Sequence, residues 1–141
     1  MSQTIEEIEQ EIVEEFSIYD DWMEKYEYII ELGKELPIID DKYKLDENLI
    51  KGCQSRVWLH AEKNKNGEMD FSADSDAIIT KGIIALLLRV FNHQTPQNIA
   101  KASIKFIDEI GLSEHLSPTR SNGLVSMVKQ IKYYGLAYTV K

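Results

Sequence analysis

Apolar residues recur every three or four positions along the N-terminal part of the chain. The residues with this spacing are Ile5, Ile8, Ile12, Phe16, Tyr19, Met23, Tyr26 and Ile30. Such spacing places side chains on one face of an α-helix, and glutamates fill much of the opposite face. The segment "SIYDDW" interrupts the pattern and offers Ser17, Asp20 or Asp21 as a helix N-cap. The sequence therefore predicts two helices, at about 3–16 and 20–35.

The apolar period changes to two residues in the middle of the chain. Pro37 ends the second predicted helix, because proline has no N–H for the next helical hydrogen bond. A loop with at most a short turn then leads to Cys53. Apolar and polar residues alternate over 56–63 and again over 68–74, as they do in β-strands. The "NKNG" segment between them favours a tight turn, since Asn-Gly tolerates positive φ. We therefore expect two antiparallel strands, with a possible third from the residues before or around Cys53.

Two longer apolar segments follow the second predicted strand. The first, "AIITKGIIALLLRVF", is apolar on nearly every side, which is typical of a buried central helix. Ser75 or Asp76 is placed to cap its N-terminus. The second, "TPQNIAKASIKFIDEIGL", has Pro96 in its first turn and Gly111 at its end. Because proline favours the first helical position and glycine the position after the last, this segment predicts one further helix.

The C-terminal segment repeats this arrangement of cap and proline. Ser117 is the expected N-cap, Pro118 occupies the first helical position, and an apolar helical stripe follows. Together the elements predict an α+β fold, in which a small antiparallel sheet of two or three strands packs among about five helices. We expect the 141 residues to form a single domain, 1–141, with a substantial apolar core.

Composition indicates a globular protein without a disulfide framework. Apolar residues make up 43% of the chain, charged residues make up 28%, and Cys53 is the one cysteine. The N-terminus is acidic, whereas a signal peptide would be basic and then apolar. The longest apolar run, "GIIALLL", is much shorter than the ~20 residues of a membrane span. We therefore expect a cytoplasmic protein that has no membrane partner.

Charge is distributed unevenly along the chain, whose net charge is −8. Residues 1–41 contain fourteen acidic and two basic side chains, whereas residues 42–141 contain ten acidic and fourteen basic ones. The negative net charge argues against nucleic acid as a partner, because phosphate backbones attract basic proteins. The acidic segment is most simply a solvated helix face. The alternative is a docking surface for a basic partner, and the sequence leaves both open.

Few residues offer catalytic or metal-binding chemistry. His60, His93 and His115 lie far apart, and no Cys-x-x-Cys or His-x-x-x-His spacing indicates a metal site. The chain also lacks a glycine-rich phosphate loop and a Gly-x-Ser-x-Gly elbow. Asp74 and Asp76 flank a predicted helix start, where capping and the helix dipole explain them best. The single cysteine is then the remaining candidate nucleophile.

The sequence around Cys53 supports two interpretations. A lone cysteine is commonly a small buried apolar residue. Cys53, however, lies outside the apolar stripes, and Gly52 before it gives the backbone freedom to turn or move. Lys51 and Arg56 place positive charge nearby, which favours the reactive thiolate. From these residues alone, a structural thiol and a reactive thiol both remain open.

Three motifs together resemble the SufE family of sulfur-acceptor proteins in iron-sulfur cluster assembly. They are "GCQSRVW" (52–58), "ADSDAIITKGIIALLL" (73–88) and "HLSPTRSNGLVSM" (115–127), and they occur in the family's order. The segment "YEYIIELGKELP" (26–37) extends the resemblance over nearly the whole chain. The fold that this resemblance implies is the one shared by SufE and IscU-type proteins.

The resemblance implies a sulfur-transfer partner of a SufS-type cysteine desulfurase. That enzyme carries pyridoxal phosphate and holds sulfur from free cysteine as a persulfide. Cys53 would take over this sulfur and pass it towards a cluster scaffold or assembly complex. The chain would need no cofactor or metal of its own and would have no independent turnover. A loop that shields Cys53 in the free protein and extends on docking is also expected.

Further site residues follow from the same resemblance. Arg120 matches a family arginine that would hold the anionic sulfur or order the cysteine loop. Asp74 and Asp76 match the family's "DSD" and would cap a helix or support the loop, as Gly52 would by letting it move. Gln54 would donate a hydrogen bond near the thiolate or shape the turn. Ser55 is expected to do the same.

Two positions depart from the family pattern. Ala73 stands where the family often has glycine, and Arg56 stands where a neutral residue is common. The first would shift the local backbone slightly, and the second adds charge beside the thiol. Both leave open which desulfurase this chain prefers.

Two other functions remain as alternatives. An IscU-type scaffold needs several cysteine ligands to hold a cluster, and this chain has one cysteine. A non-catalytic module would activate a desulfurase through the acidic N-terminal surface, with Cys53 only structural. Docking is expected on the surface around Cys53 and Arg120, and the sequence leaves open whether the protein is a monomer or a homodimer.

Overall fold

Seven α-helices and one two-stranded antiparallel sheet make up the part of the chain that the structure describes. This computed structural model covers residues 3–37 and 39–140. In chain order the elements are α1 (Ile5–Phe16), α2 (Trp22–Lys34), β1 (Val57–Lys63), β2 (Met69–Ser75), α3 (Ile78–Phe91), α4 (Pro96–Lys101), α5 (Phe106–Glu109), α6 (Leu112–His115) and α7 (Pro118–Tyr138). Two short 3₁₀ turns, Asp41–Tyr43 and Asp46–Asn48, lie between α2 and β1. The predicted α+β class is confirmed.

Both N-terminal helices begin at side-chain caps. The Thr4 hydroxyl accepts a hydrogen bond from the N–H of Glu7, and the Glu7 carboxylate accepts one from the N–H of Thr4, at 3.1 and 3.0 Å. This capping box satisfies two N–H groups that a helix start leaves unpaired. Asp21 caps α2 by accepting from the N–H of Glu24 at 2.9 Å. The two predicted helices are confirmed, with Asp21 as the cap of the second.

The sheet forms around the predicted Asn-Gly turn. Strands β1 and β2 pair in a register that sets Val57 opposite Ser75. The side-chain oxygen of Asn64 accepts hydrogen bonds from the N–H groups of Asn66 and Glu68, at 2.9 and 3.1 Å. An asparagine that bonds its own following backbone favours a tight reversal of the chain. The local sequence therefore fixes the hairpin.

The residues before the cysteine add a single bridge to the sheet. Leu49 lies opposite Trp58, and the N–H of Ile50 donates to the carbonyl of Val57 at 2.9 Å. The chain then turns away from β1 at Gly52, so no third strand forms among the described residues. The sheet therefore has the lower of the two strand numbers predicted.

Helix α3 is buried on most sides and packs against α2 and β2. Helices α2 and α3 cross closely at Gly33 and Gly82. A Cβ at Gly82 would lie 2.2 Å from the carbonyl oxygen of Ile29, and one at Gly33 would lie 2.8 Å from the backbone nitrogen of Gly82. Any side chain at Gly82 would push the two backbones apart, since packed helices can meet this closely only where a residue has no Cβ.

The predicted N-cap of α3 is wrong. Ala77 occupies the cap position, where no side chain bonds the helix. Ser75 is the last residue of β2, and the carboxylate of Asp76 accepts a hydrogen bond from the N–H of Arg56 at 3.1 Å. Asp76 therefore ties the start of α3 to the segment that follows the cysteine, and this long-range bond replaces the local cap.

The single helix predicted for "TPQNIAKASIKFIDEIGL" is also wrong. The segment divides into α4, α5 and the first residue of α6, with a non-helical break at 102–105. The carboxylate of Glu9 in α1 accepts hydrogen bonds from the N–H groups of Lys105 and Phe106, at 2.9 and 3.0 Å. Because these bonds satisfy backbone donors that a continuous helix would pair internally, the chain can break there. Seven helices result where about five were predicted.

One cluster of buried apolar side chains joins the two ends of the chain. It includes Ile12 of α1, Leu59 of β1, Leu87 of α3 and Ile131 of α7, each fully buried. Burial of this kind is the main favourable contribution to folding. No helix in the described ranges combines the length and the apolar composition that crossing a bilayer requires.

A polar network links the first three helices beside this cluster. The guanidinium of Arg89 in α3 donates two hydrogen bonds to the carboxylate of Glu15 in α1, one of them at 2.6 Å from Nη1. The hydroxyl of Tyr28 in α2 donates to the same carboxylate. The Arg89 bond holds the pKa of Glu15 below its usual range, whereas burial and the Glu15 bond raise the pKa of Tyr28 to about 12.

We expect Glu15→Gln to lower the free energy of unfolding at pH 7 by roughly 1–2 kcal/mol, because it removes a charged partner from a part-exposed network. The folded-state pKa of Glu15 is depressed. Its contribution is therefore complete above the unfolded-state pKa and disappears as the pH falls through the folded-state value. Urea denaturation at pH 7 and about pH 3 tests this, and the difference should be smaller at the lower pH. Glu14→Gln, at an exposed neighbour, is the control. An equal loss at both pH values would contradict the assignment.

Candidate functional site

Cys53 lies in a short loop that leads into β1, and we call residues 51–56 the cysteine loop. Gly52 has a φ of 95°, a left-handed conformation that glycine adopts without strain. A Cβ at Gly52 would lie 2.4 Å from the Oγ of Ser126 in α7. The loop therefore approaches α7 so closely that the residue before the cysteine must lack a side chain.

Acidic residues hold the other end of the loop and the strand beside it. Asp76 and Arg56 exchange hydrogen bonds: the N–H of Arg56 donates to the carboxylate, and the N–H of Asp76 donates to the carbonyl of Arg56 at 3.3 Å. Asp74 forms ion pairs with Lys44 and Lys81, at 3.0 and 3.3 Å. Burial opposes ionisation of Asp74, but the hydrogen bonds from these lysines and from the backbone hold its pKa below its usual range.

The thiol of Cys53 faces a small cleft between the cysteine loop, α3 and α7. Its Sγ lies 3.6 Å from the carbonyl oxygen of Gly123. The cleft has a volume of about 90 Å³ and is lined by Cys53, Gln54, Ser55, Thr80, Ile83, Thr119, Arg120, Gly123 and Met127. Ile83 and Met127 are buried, whereas Arg120 is exposed. The sulfur therefore lies between an apolar floor and a cationic rim.

Burial sets the protonation of the thiol in this arrangement. Cys53 is half-buried, and removal from water raises the pKa of its thiol above the usual value. Burial disfavours the charged form of any acid that gains no compensating partner. The expectation that Lys51 and Arg56 favour the thiolate is therefore wrong for the loop as it lies here, because both side chains are exposed.

The first turn of α7 is anchored so that Arg120 lies at the cleft. The hydroxyl of Ser117 accepts a hydrogen bond from the N–H of Arg120 at 3.3 Å, and Pro118 occupies the first helical position, as predicted. Before the helix, the ring of His115 stacks on Trp22 of α2 with ring centroids 4.0 Å apart. The helix start is therefore attached both to its own cap and to α2.

The structure brings four of the seven predicted site residues into the cleft lining and leaves Gly52, Asp74 and Asp76 outside it. Cys53, Gln54, Ser55 and Arg120 all line the cleft. Asp74 and Asp76 lie outside its lining and make the structural contacts given above. Asp76 was predicted to cap a helix or to support the cysteine loop. Its bond to the N–H of Arg56, at the end of the loop, is consistent with the second role.

Sequence reasoning missed five residues of the cleft, which are Thr80, Ile83, Thr119, Gly123 and Met127. Part of this set had a detectable signal. Arg120, Gly123 and Met127 follow the three- and four-residue spacing of one helix face. Thr80 and Ile83 had none, because α3 is apolar on nearly every side and its sequence does not indicate which face meets the cysteine.

The part of the chain that forms this cleft matches a known protein family. The sequence-family model for SufE, described as an Fe-S metabolism associated domain, matches residues 10–134, which include the cysteine loop and most of α7. The chain belongs to the SufE family. Its association with Fe-S metabolism follows from that membership.

A solved structure shows the same fold as this SufE-family chain. It is a solution structure of a hypothetical protein from Thermus thermophilus, with a TM-score of 0.78 and 17% sequence identity. The match covers 95% of this chain and 97% of the other. At this identity the likeness concerns the fold alone.

The described part of this SufE-family chain offers no cluster of metal ligands. Over residues 3–37 and 39–140, no group of three or more His, Cys, Asp or Glu side chains is arranged to hold an ion. The candidate chemistry of the described site is therefore that of a half-buried thiol nucleophile in a cleft whose lining includes one arginine, Arg120.

We expect Cys53 in the folded protein to react with iodoacetamide severalfold more slowly than in the urea-unfolded chain at pH 8. Burial limits access to the thiol and raises its pKa, which lowers the thiolate fraction. Intact mass against time gives both rates. A synthetic peptide of residues 50–57 is the matched control, since it keeps Lys51 and Arg56 but lacks α7. Equal rates in folded protein and peptide would contradict the burial of the thiol.

Proposed function

We propose that Cys53 accepts sulfur from the persulfide of a SufS-type cysteine desulfurase and passes it on to iron-sulfur cluster assembly. The observation that carries this proposal is the position of its Sγ, 3.6 Å from the Gly123 carbonyl in a cleft with Arg120 at the rim. A carrier of a labile sulfur needs a nucleophile and a sheltered place for its product. The cleft offers both around one thiol.

The transfer is a thiol–disulfide type of exchange. The thiolate of Cys53 attacks the outer sulfur of the donor persulfide, a new S–S bond forms on Cys53, and the donor S–S bond breaks. The donor cysteine leaves as a thiolate and takes up the proton that Cys53 has lost. No oxidant or reductant is consumed, so the acceptor needs no cofactor of its own. The pyridoxal phosphate belongs to the desulfurase.

Movement of the cysteine loop makes the attack possible. In the closed position Cys53 faces α7, so it must leave the cleft to reach a sulfur in another protein. Among the described contacts, no ion pair joins the loop to α7, and the weak Sγ contact with Gly123 is the one hydrogen bond between them. Opening therefore costs little. It also removes the burial that raises the thiol pKa, and leaves Cys53 beside Lys51 and Arg56.

The setting of the reaction follows from the same chemistry. An unpaired thiol that must stay reduced fits a reducing cytoplasm, where disulfides are rare. The partners are a desulfurase as donor and a scaffold or assembly complex as recipient. The desulfurase would dock over the cleft, where Arg120 and the cysteine loop are exposed.

A second candidate function is activation of the desulfurase without sulfur acceptance. One observation favours it: Ile18 and Met23, near the α1–α2 turn, are 73% and 71% exposed among the acidic residues Glu14, Asp20, Asp21, Glu24 and Glu27. Exposed apolar side chains in a charged surface are typical of an interaction site. In this alternative Cys53 is only structural.

Incubation with a SufS-type desulfurase, pyridoxal phosphate and free cysteine decides between the two functions. We expect intact-protein mass spectrometry to show a gain of one sulfur atom that reductant reverses and that Cys53→Ser lacks. Cys53→Ser should still bind the desulfurase in a pull-down, because docking uses the surrounding surface. An unmodified Cys53 together with binding and faster desulfurase turnover would overturn the acceptor role in favour of the activator.

Arg120→Gln should slow sulfur loading of Cys53 by about tenfold, since charge-assisted contacts to an anionic sulfur are worth roughly twice a neutral hydrogen bond. Arg120→Lys should recover part of the rate, because the charge returns without the planar fork. Lys129→Gln is the matched control, an exposed cation on α7 outside the cleft. Equal loading by all four proteins would show that Arg120 takes no part.

A further inference from the structure

An unfilled space lies directly beside the sulfur of Cys53, where Gly123 has no side chain. A Cβ built at Gly123 would lie 3.5 Å from Sγ, 3.8 Å from Cα and 3.9 Å from Cβ of Cys53. The three nearest atoms to this position therefore all belong to the cysteine. Gly123 itself is buried in the second turn of α7, and the position of its missing Cβ faces the thiol.

Glycine at this position is not required by the backbone. Gly123 lies within an α-helix and has no positive φ, and in a helix interior glycine is less stable than alanine by roughly 1 kcal/mol. Nor does the reduced thiol require it, because a methyl group at 3.5 Å from Sγ makes an ordinary van der Waals contact. Neither the fold nor the free thiol accounts for the missing side chain.

The persulfide form does account for it. Addition of one sulfur places a new atom about 2 Å from Sγ, and this atom must fit in a cleft of about 90 Å³. The carbonyl of Gly123 contacts Sγ at 3.6 Å, and a Cβ at this residue would lie 3.5 Å from Sγ. A methyl there would occupy the space into which the longer side chain extends.

Resting on the proposed function, we propose that Gly123 is a positioning residue that makes room for the outer sulfur and so lets the cysteine loop close over a persulfide. The same geometry sets a size limit. An adduct of one atom fits behind the closed loop, whereas a tripeptide adduct, such as a mixed disulfide with glutathione, exceeds the cleft of about 90 Å³ and holds the loop open. The closed state thus selects the persulfide among the modified forms of Cys53.

Gly123→Ala tests the proposal without threatening the fold. The change favours the helix and meets the reduced thiol at an ordinary contact distance. Ser121→Ala is the matched control, since it raises the helix propensity of α7 at a residue that does not line the cleft. Each protein is loaded by the desulfurase with free cysteine, and the outer sulfur is then alkylated with iodoacetamide under excess reagent. The rate is followed by intact mass.

We expect the persulfide of Gly123→Ala to be alkylated about tenfold faster than that of the wild type or Ser121→Ala, because overpacking disfavours the closed state. The reduced thiol should react alike in all three proteins. The mixed disulfide with glutathione should also be reduced alike by dithiothreitol, because no form can enclose it. Equal persulfide rates would overturn the proposal. The proposal would also be overturned if Gly123→Ala accelerated alkylation of the reduced thiol as much as that of the persulfide. Such a result would show that the variant opens the loop in both forms.

The proposal can fail independently of the sulfur-acceptor function. Inorganic polysulfide also converts a thiolate to a persulfide, releasing a polysulfide one sulfur shorter, and needs no desulfurase. If the desulfurase does not load the wild type, the proposed function fails, while polysulfide-loaded protein still tests Gly123. If loading succeeds and the variant protects its persulfide as well as the wild type does, Gly123 has no positioning role.

Discussion

The cysteine loop lies closely against α7 at two glycines, Gly52 in the loop and Gly123 in the helix. A Cβ at Gly52 would collide with Ser126, and the sulfur of Cys53 rests beside Gly123. This close approach removes part of the thiol from water, and the loss of water raises its pKa. Shelter and low reactivity therefore have one cause. A sulfur carrier built in this way must regain the reactivity of its thiol when a partner is present.

The surrounding elements fix the ends of the cysteine loop and the start of α7, whereas the contact between Cys53 and Gly123 is itself weak. Helix α7 is held at its start by the Ser117 cap and by the stacking of His115 on Trp22. Asp76 fixes the far end of the loop at the start of α3. Strong interactions thus surround the loop, whereas the contact of Sγ with Gly123 is a long sulfur–carbonyl contact of little strength. A segment with few strong contacts and anchored ends can open without disturbing the core.

The sequence allowed the regular elements to be predicted, because their causes are local. The apolar period of α1 and the Asn64 turn depend on residues a few positions apart. The errors came from contacts between distant parts of the chain. The break between α4 and α5 depends on Glu9, 96 positions before Lys105, and no local pattern predicts it. Asp76 likewise does not cap α3 as predicted, because its carboxylate accepts a hydrogen bond from the N–H of Arg56.

The candidate site divides in the same way. Cys53, Gln54 and Ser55 are neighbours, and the motif resemblance added Arg120, so the rim of the cleft was predictable. Its floor was not, because Ile83 belongs to a helix that is apolar all round. The protonation of Cys53 was misjudged for the same reason: neighbours in sequence suggested positive charge, whereas burial against α7, seventy positions away, decides the pKa.

Coupling between position and protonation gives the loop a function beyond shielding. A thiol with a raised pKa in the closed state is a poor nucleophile towards any oxidant or electrophile in solution. Opening of the loop exposes the thiol and removes the burial that raises its pKa. A docked partner favours the open form to the extent that it binds this form better than the closed one. Under the proposed function, the thiol is then reactive chiefly in the complex that supplies sulfur. Discrimination against unwanted reactions thus comes from the burial of the thiol in the closed state and from a partner that binds the open state better.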